Sequence, residues 1–189
     1  MAIVTSDVRA TTDTSVWPIG GQAGLFQGVP TVITNSTPAF ATTFQNNVVV
    51  GAAGYSGARE LDAISLSLTD PNLSGPNAGF LRSDAHLAVI ELSDADDNDS
   101  IATVADTLSF LQALKPDKFD VLSRTYKKNF TVSAVGVNSI ADPDCAALPL
   151  IEEAVKLKQL VADTNGSFAS ICAANFSPGL TTFAGSAEP

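Results

Sequence analysis

An acidic stretch that could bind metal follows the most apolar segment of the chain. Residues 86–92 contain the unbroken run Leu-Ala-Val-Ile and predict a buried parallel strand. Asp94, Asp96, Asp97 and Asp99 follow closely. Ligands of open α/β sheets bind at the carboxyl ends of strands, and Mg²⁺ and Ca²⁺ prefer carboxylate oxygens. The sequence therefore predicts a metal site at Asp94, with Asp96 as a neighbouring ligand.

The same acidic stretch has a second interpretation that needs no ligand. Its spacing differs from that of an EF-hand loop, because no glycine and no distal glutamate fall at the required positions. Acidic residues that precede a helix also interact favourably with the positive end of the helix dipole. A solvated acidic loop in front of the following helix therefore stays open as an alternative to the metal site.

Other residues that could support catalysis or anion binding are sparse. The glycine-rich turn from Gly51 to Gly57 lacks the Lys and Ser/Thr of a P-loop. His86 is the only histidine, and it stands at the start of the predicted strand, which is the wrong end for an active site. No G-x-S-x-G sequence occurs. We therefore expect a protein that is not an enzyme. Hydrolysis by the acidic loop is kept as a weaker alternative.

Composition narrows the class of protein further. The chain has 189 residues, which suits one domain, and its net charge is −10. Such a charge repels phosphate backbones, so we expect no nucleic-acid partner. No apolar run reaches the ~20 residues that span a bilayer, and the first residues lack the pattern of a signal peptide. Cys145 and Cys172 allow either one disulfide or two buried thiols.

Strand and helix patterns alternate along the chain and must position these residues. Short apolar or alternating runs predict strands at 2–6, 86–92, 130–137 and 167–171, with further β-rich or apolar runs at 31–34 and 48–50. Apolar residues at helical spacing predict helices at 37–46, 57–69, 101–114, 148–163 and 177–184. Thr37 and Ser100 are the predicted N-caps of two of them. This alternation is typical of an α/β fold with helices on both faces of a mostly parallel sheet.

A long loop at residues 8–30 holds apolar side chains in a glycine-rich setting. Trp17, Ile19, Leu25 and Phe26 are its large apolar residues. Long loops in compact domains are either functional or packed locally, so these side chains indicate a recognition loop or an anchor to the core.

A series of motifs runs in order along nearly the whole chain. Residues 75–90 read GPNAGFLRSDAHLAVI and lead into SDADD at 93–97. Four shorter motifs are found at 3–7, 110–115, 131–135 and 166–172. Together they resemble bacterial von Willebrand factor A-like proteins, which are typically lipoproteins or surface proteins. The resemblance implies a Rossmann-like single domain over 1–184, followed by a tail at 185–189.

The resemblance also implies an adhesion site that holds a divalent cation. The family's ligands are a D-x-S-x-S motif after the first strand, a Thr in the second loop and an Asp after the fourth strand. Asp94 matches the last ligand, whereas Ala52 stands where the Thr is expected and Ser56 is a nearby hydroxyl. The D-x-S-x-S motif is absent. We therefore expect a degenerate site for Mg²⁺ or Ca²⁺ at Asp94, with Ser56 and Asp96 as neighbours.

The start of the chain resembles the second strand of that family, so the first strand, which is central in that fold, is missing. Its loss would leave buried N–H and C=O groups without partners, which is costly. Three explanations are open. The chain is a fragment of a longer precursor, another chain donates a strand, or the sheet has closed up in a different order.

A location outside the cytoplasm follows from the same resemblance: periplasm, cell surface or secreted. In that compartment a disulfide between Cys145 and Cys172 is expected. The predicted function is a protein-binding or adhesion module with a degenerate metal site. The alternative is a structural subunit that assembles with other chains by strand complementation of an open sheet.

Overall fold

The structure, a computed structural model, describes residues 1–15, 20–51, 54–143, 145, 151–175 and 182–183. The chain forms two compact units. The first unit comprises Met1–Arg82 and Asn98–Ile101. The second unit comprises Ser83–Asp97 and Ala102–Pro189.

Helices and strands of the described residues are numbered in chain order. The helices are α1 (Phe40–Asn47), α2 (Glu60–Ser67), α3 (Val104–Leu114) and α4 (Val155–Asp163). The strands are β1 (Leu87–Leu92), β2 (Lys118–Asp120), β3 (Thr125–Lys127), β4 (Phe130–Gly136) and β5 (Phe168–Ser170). The predicted mixed α/β class is confirmed. The helix predicted at 177–184 lies outside the described residues, apart from two helical residues at 182–183.

A three-stranded parallel sheet forms the centre of the second unit, in the order β1-β4-β5. Leu87 lies opposite Phe130 at the start of the β1–β4 ladder, and Ala134 lies opposite Phe168 between β4 and β5. Every residue of β4 is buried, as expected for a middle strand of a parallel sheet. The mostly parallel sheet predicted from the apolar runs is therefore confirmed.

The two helices of the second unit lie against this sheet and each other. α4 packs on β4 through a cluster that contains Ala134, Ala154, Leu157 and Val161, and α3 contacts α4. The strand order advances in one direction, so two right-handed crossovers place α3 and α4 on the same face of the sheet. The expected helices on both faces are thus not seen among the described helices of this unit, which form one layer.

The cap of α3 differs from the prediction. Thr103, rather than Ser100, is the N-cap: its hydroxyl accepts from the Asp106 N–H, and the Asp106 carboxylate accepts from the Thr103 N–H. This reciprocal pair is a capping box, which satisfies two N–H groups at once. Ser100 belongs to the first unit, where its hydroxyl accepts from the Asp62 N–H at 3.1 Å. The capping box explains why the helix begins three residues later than expected.

A two-stranded antiparallel hairpin, β2–β3, was not predicted from the sequence. The rings of Phe119 and Tyr126 meet edge to face at 5.3 Å, and Lys127 forms an ion pair with Asp120 at 2.7 Å. Val121 and Leu122 at its turn are highly exposed. With three residues in each strand, the hairpin is too short to give a clear alternating pattern.

In the first unit, the apolar runs at 2–6, 31–34 and 48–50 do not form strands. Ile3 makes a single antiparallel bridge to Gln27, and the Met1 carbonyl accepts from the Ile33 N–H. The predicted cap at Thr37 is also wrong, because α1 begins at Phe40. The Thr37 hydroxyl instead accepts from the Thr34 N–H at 2.9 Å and closes a turn before the helix.

Buried asparagine side chains tie the loops of the first unit together. Asn77 is fully buried; its amide NH₂ donates to the carbonyls of Gly24 and Ser67, and its oxygen accepts from the Phe26 N–H. All three contacts are 2.9 Å long. Beside them, the rings of Phe26 and Phe80 meet edge to face at 5.0 Å. Phe26 thus anchors its part of the loop to the core, which was one of the two predicted roles, whereas Trp17 and Ile19 lie outside the described residues.

Asn72 and Asn47 act in the same way at other loops. The Asn72 amide donates to the carbonyls of Ala23 and Leu66. The Asn47 side chain accepts from the Val29 N–H and donates to the Pro30 carbonyl, in the segment that follows Gly28. Each amide has a donor and an acceptor side, so it satisfies buried backbone groups that no strand pairing reaches. These amides therefore take the place of a sheet in holding the loops.

We expect Asn77→Ala to lower the free energy of unfolding by about 3 kcal/mol, because it leaves two carbonyls and one N–H buried without partners. Chemical denaturation of the purified protein measures this change. Asn77→Asp should also destabilise, since a carboxylate cannot donate to either carbonyl. The exposed Asn35→Ala is the control and should stay within about 0.5 kcal/mol of the wild type. A loss of less than about 1 kcal/mol in Asn77→Ala would contradict the proposed role.

Candidate functional site

The carboxyl end of β1 carries the residue for which metal binding was predicted. The Ser93 N–H donates to the Val135 carbonyl at 3.1 Å and continues the ladder by one step. Asp94 follows; its carbonyl accepts from the Glu152 N–H, and its side chain is exposed. The backbone of Asp94 is therefore held in place while its carboxylate faces solvent.

Asp96 and Asp97 hold the first turn of α4. The Asp96 carboxylate accepts from the Lys156 N–H at 2.9 Å, and the Lys156 ammonium donates to the Asp97 carbonyl. Both aspartates are buried. A carboxylate at this position satisfies a free N–H of the first turn and complements the helix dipole. The acidic stretch does serve a helix N-terminus, but it serves α4 and not the helix that follows it in sequence.

Ser56 and Ala52 are the other positions of the predicted metal site. Ser56 is exposed and belongs to the first unit, and Ala52 lies outside the described residues. Among the residues that the structure describes, no group of three or more His, Cys, Asp or Glu side chains is arranged to hold a metal ion. Metal binding at Asp94, with Asp96 and Ser56 as neighbours, stays a prediction. The Asp94 carboxylate is exposed, whereas the Asp96 carboxylate already accepts a hydrogen bond from Lys156.

The opposite end of β1 is basic. The Lys115 ammonium donates to the Ala85 carbonyl at 2.5 Å, and the Lys118 ammonium donates to the Asp84 carbonyl at 2.7 Å. His86 lies 3.1 Å from the Thr131 hydroxyl. Burial, together with the Lys115 and Lys118 charges, holds the pKa of His86 below its ordinary value, so the ring is neutral at pH 7. The start of β1 thus carries two lysines beside the exposed Asp84, and its end carries three aspartates beside Lys156, so the start is the more positive end.

One side of β1 carries exposed backbone and apolar side chains. The Leu87 N–H donates to the Asn129 carbonyl and the Ser93 N–H donates to Val135, so odd-numbered residues face β4. In a parallel ladder the alternate residues direct their N–H and C=O groups the other way. Those residues are Ala88, Ile90 and Leu92, which we name the β1 edge.

The β1 edge lies at one end of the strand order, and β4 is the strand with which β1 pairs in the described part of the chain. Its side chains are exposed, with Ile90 at 55% and Leu92 at 65% of their full accessible area. Natural proteins protect such edges with Lys, Pro or a bulge. None of these devices occurs among Ala88, Ile90 and Leu92, so the β1 edge is suited to pairing with another strand.

The first unit contains a buried ion pair, between Asp7 and Arg9, that was not predicted from the sequence. Arg9 donates to both oxygens of Asp7, from Nε at 2.9 Å and from a terminal nitrogen at 2.8 Å. The Asp7 carboxylate also accepts from the Tyr55 N–H, and the Arg9 guanidinium lies 5.6 Å from the Tyr55 ring centroid. The hydrogen bonds from Arg9 are the main reason why the pKa of Asp7 lies below its ordinary value. The D-x-R sequence that follows the apolar run at residues 2–4 was the available signal.

A disulfide joins Cys145 to Cys172, with Cα atoms 5.0 Å apart. It closes a loop over a sequence separation of 27 residues, which contains α4 and β5. In the chain-entropy model a bridge over such a loop stabilises the fold by roughly 3–4 kcal/mol. The disulfide expected from the resemblance is therefore present, and it is compatible with an oxidising compartment.

Comparison of the chain with protein-family models, with curated proteins and with solved structures finds no match. The resemblance to von Willebrand factor A-like proteins therefore rests on its motifs alone. Of the residues described, no helix has the length and apolar character needed to cross a membrane.

Calorimetric titration with Mg²⁺ or Ca²⁺ should show binding no tighter than a Kd on the order of 1 mM, because one exposed carboxylate supplies too few of the six or more ligands these ions need. Asp94→Ala should abolish the heat of metal binding, and Asp117→Ala, at another exposed aspartate, is the control that should leave this heat unchanged. Micromolar binding that is lost in Asp94→Ala would contradict this expectation and support a metal-dependent adhesion site.

Acid should reveal the Asp7–Arg9 pair. Because the folded pKa of Asp7 is lowered, its charge adds stability that is fully present above the unfolded value of about 3.9 and is lost as the pH falls through the folded value. Asp7→Asn lacks this contribution. The stability difference between wild type and Asp7→Asn, measured by urea unfolding, should therefore narrow as the pH is lowered from 7. A stability difference that is independent of pH would exclude the charge of Asp7 as its cause.

Proposed function

We propose that this chain is an extracytoplasmic protein-binding module and that its binding surface is the β1 edge. The observation that carries the proposal is the pairing potential of Ala88, Ile90 and Leu92, whose outward backbone groups accompany exposed apolar side chains. A strand added at such an edge gains main-chain hydrogen bonds, and its side chains contact the exposed ones. This is binding by strand complementation.

The location outside the cytoplasm is supported by the Cys145–Cys172 disulfide, because structural disulfides are rare in reducing compartments. The low share of charged residues, 16%, is also common in secreted and surface proteins. The motifs that resemble von Willebrand factor A-like proteins support the same location and a protein-binding role.

A metal-dependent adhesion site at Asp94 is the second candidate function. It is favoured by the exposed position of the Asp94 carboxylate at the carboxyl end of β1, where ligands of α/β sheets bind. It is disfavoured by the commitment of Asp96 to the first turn of α4. The β1 edge offers more contacts than one carboxylate, so we place it first.

A labelled peptide with the sequence of residues 86–94, HLAVIELSD, tests the proposed function. It should bind the intact protein and slow hydrogen exchange at the amides of Ala88, Ile90 and Leu92, because an added strand would accept hydrogen bonds from these N–H groups. Fluorescence anisotropy gives the affinity, and exchange measured by NMR gives the position.

Ile90→Pro supplies the matched variant. Proline removes an N–H that faces away from β4, so the ladder with β4 keeps its hydrogen bonds and the protein should remain folded by circular dichroism. Peptide binding should fall at least tenfold, as expected when an edge hydrogen bond and an apolar contact are lost together. Leu122→Lys, on the exposed hairpin turn, should bind the peptide like the wild type. Absence of peptide binding to the folded wild type, at a protein concentration where sedimentation shows a monomer, would reject the β1 edge as a binding surface.

A further inference from the structure

The two ends of β1 carry opposite charges, and this arrangement identifies a partner. Lys115 and Lys118 lie at the carbonyls that precede the strand, while the exposed Asp94 follows it. An identical strand that runs antiparallel brings the start of one copy beside the end of the other. From this charge complementarity we propose that a second copy of this chain occupies the β1 edge, and that two copies form a continuous antiparallel β1–β1 ladder. The proposal rests on the proposed function of that edge.

The hydrogen-bond pattern sets the register. A two-fold axis between two identical edges makes the strands antiparallel, and each contact occurs twice. With Ile90 opposite Ile90 of the second copy, Ala88 lies opposite Leu92. All three residues direct N–H and C=O groups outward, so each pair exchanges both hydrogen bonds, as in the closely spaced pairs of an antiparallel ladder. The register joins two three-stranded sheets into one.

The same register aligns the charges. When residues 90 and 90 are opposite, residue 94 of one copy lies opposite residue 86 of the other, next to the segment 84–85 that holds the two lysine ammonium groups. His86 is neutral there and adds no repulsion. Asp94 of one copy therefore lies near the exposed Lys118 of the other at both ends of the ladder, while the buried Lys115 adds to the positive charge there. A parallel arrangement would instead place lysines beside lysines and aspartates beside aspartates.

The exposed side chains fit this partner as well. Ala88, Ile90 and Leu92 share one face of the strand, because side chains alternate along it. In the ladder, Ile90 meets its own copy at the axis and Leu92 meets Ala88, so the residues left exposed in one chain cover each other. The opposite end of the sheet, β5, is a poorer partner because it has three residues and its side chains are half-buried.

The experiment is a pair of charge-reversed variants of the full chain, Asp94→Lys and Lys118→Glu, studied by sedimentation equilibrium. Wild type should dimerise. Each variant alone places like charges at both ends of its ladder, so its dimer Kd should rise roughly tenfold or more. A mixture of the two variants has opposite charges at both ends and should recover dimers. Added salt should weaken the wild-type dimer.

Ile90→Lys places two like charges on the two-fold axis and should give a monomer, while Leu122→Lys on the hairpin should dimerise like the wild type. A monomeric wild type at high concentration, a dimer unaffected by Ile90→Lys, or a mixture that fails to recover would overturn the proposal. If the peptide of residues 86–94 still binds in that case, the β1 edge does add a strand and only the dimer of full chains is excluded. If neither binds, the proposed function fails as well.

Discussion

The burial of β4 on both faces is the constraint on which the second unit depends. Phe130, Val132 and Ala134 are inaccessible, and Ala134 lies in the cluster with α4. The polar side chains at β4 are satisfied locally: the Thr164 hydroxyl bonds both the N–H and the carbonyl of Val132, and the Ser133 hydroxyl accepts from the Ser167 N–H. β4 pairs with β1 along nearly its whole length and with β5 over Ala134–Gly136, so β1 and β5 are the outer strands, and of these β1 is the longer.

Sequence patterns predicted the second unit well and the first unit poorly. The unbroken apolar run Leu87–Ile90 correctly predicted a parallel strand, and α3 and α4 have clear helical spacing. The predicted burial of that strand was wrong, because β1 lies at the end of the sheet and Ile90 is exposed. The first unit depends on contacts between residues far apart, such as Asn77 with Gly24 and Phe26. A polar residue in a glycine-rich segment gives no signal of burial, since the same letters are typical of an exposed turn. The GPNAGF motif therefore reads as a loop, although its asparagine lies in the core.

The site shows the same division. The sequence placed Asp94 at the end of β1, where the structure has it, because strand and loop are adjacent in the chain. It could not show that Asp96 would cap α4, whose first turn lies 60 residues further along. The sequence also could not predict which residues form the β1 edge, because that depends on whether the odd-numbered or the even-numbered residues of β1 bond to β4. Periodicity shows that a strand has two sides but not which neighbour it will have.

The Cys145–Cys172 bridge limits how far the chain can extend when it is pulled by its ends. The chain between the cysteines, with α4 and β5, lies inside a covalent loop. Force applied beyond residues 145 and 172 passes through the bridge and cannot extend that loop. At about 3.5 Å for each extended residue, the bridge withholds roughly 90 Å of contour length. The layer of helix and strand beside β4 is thereby kept from mechanical extension even when the remainder of the chain is stretched.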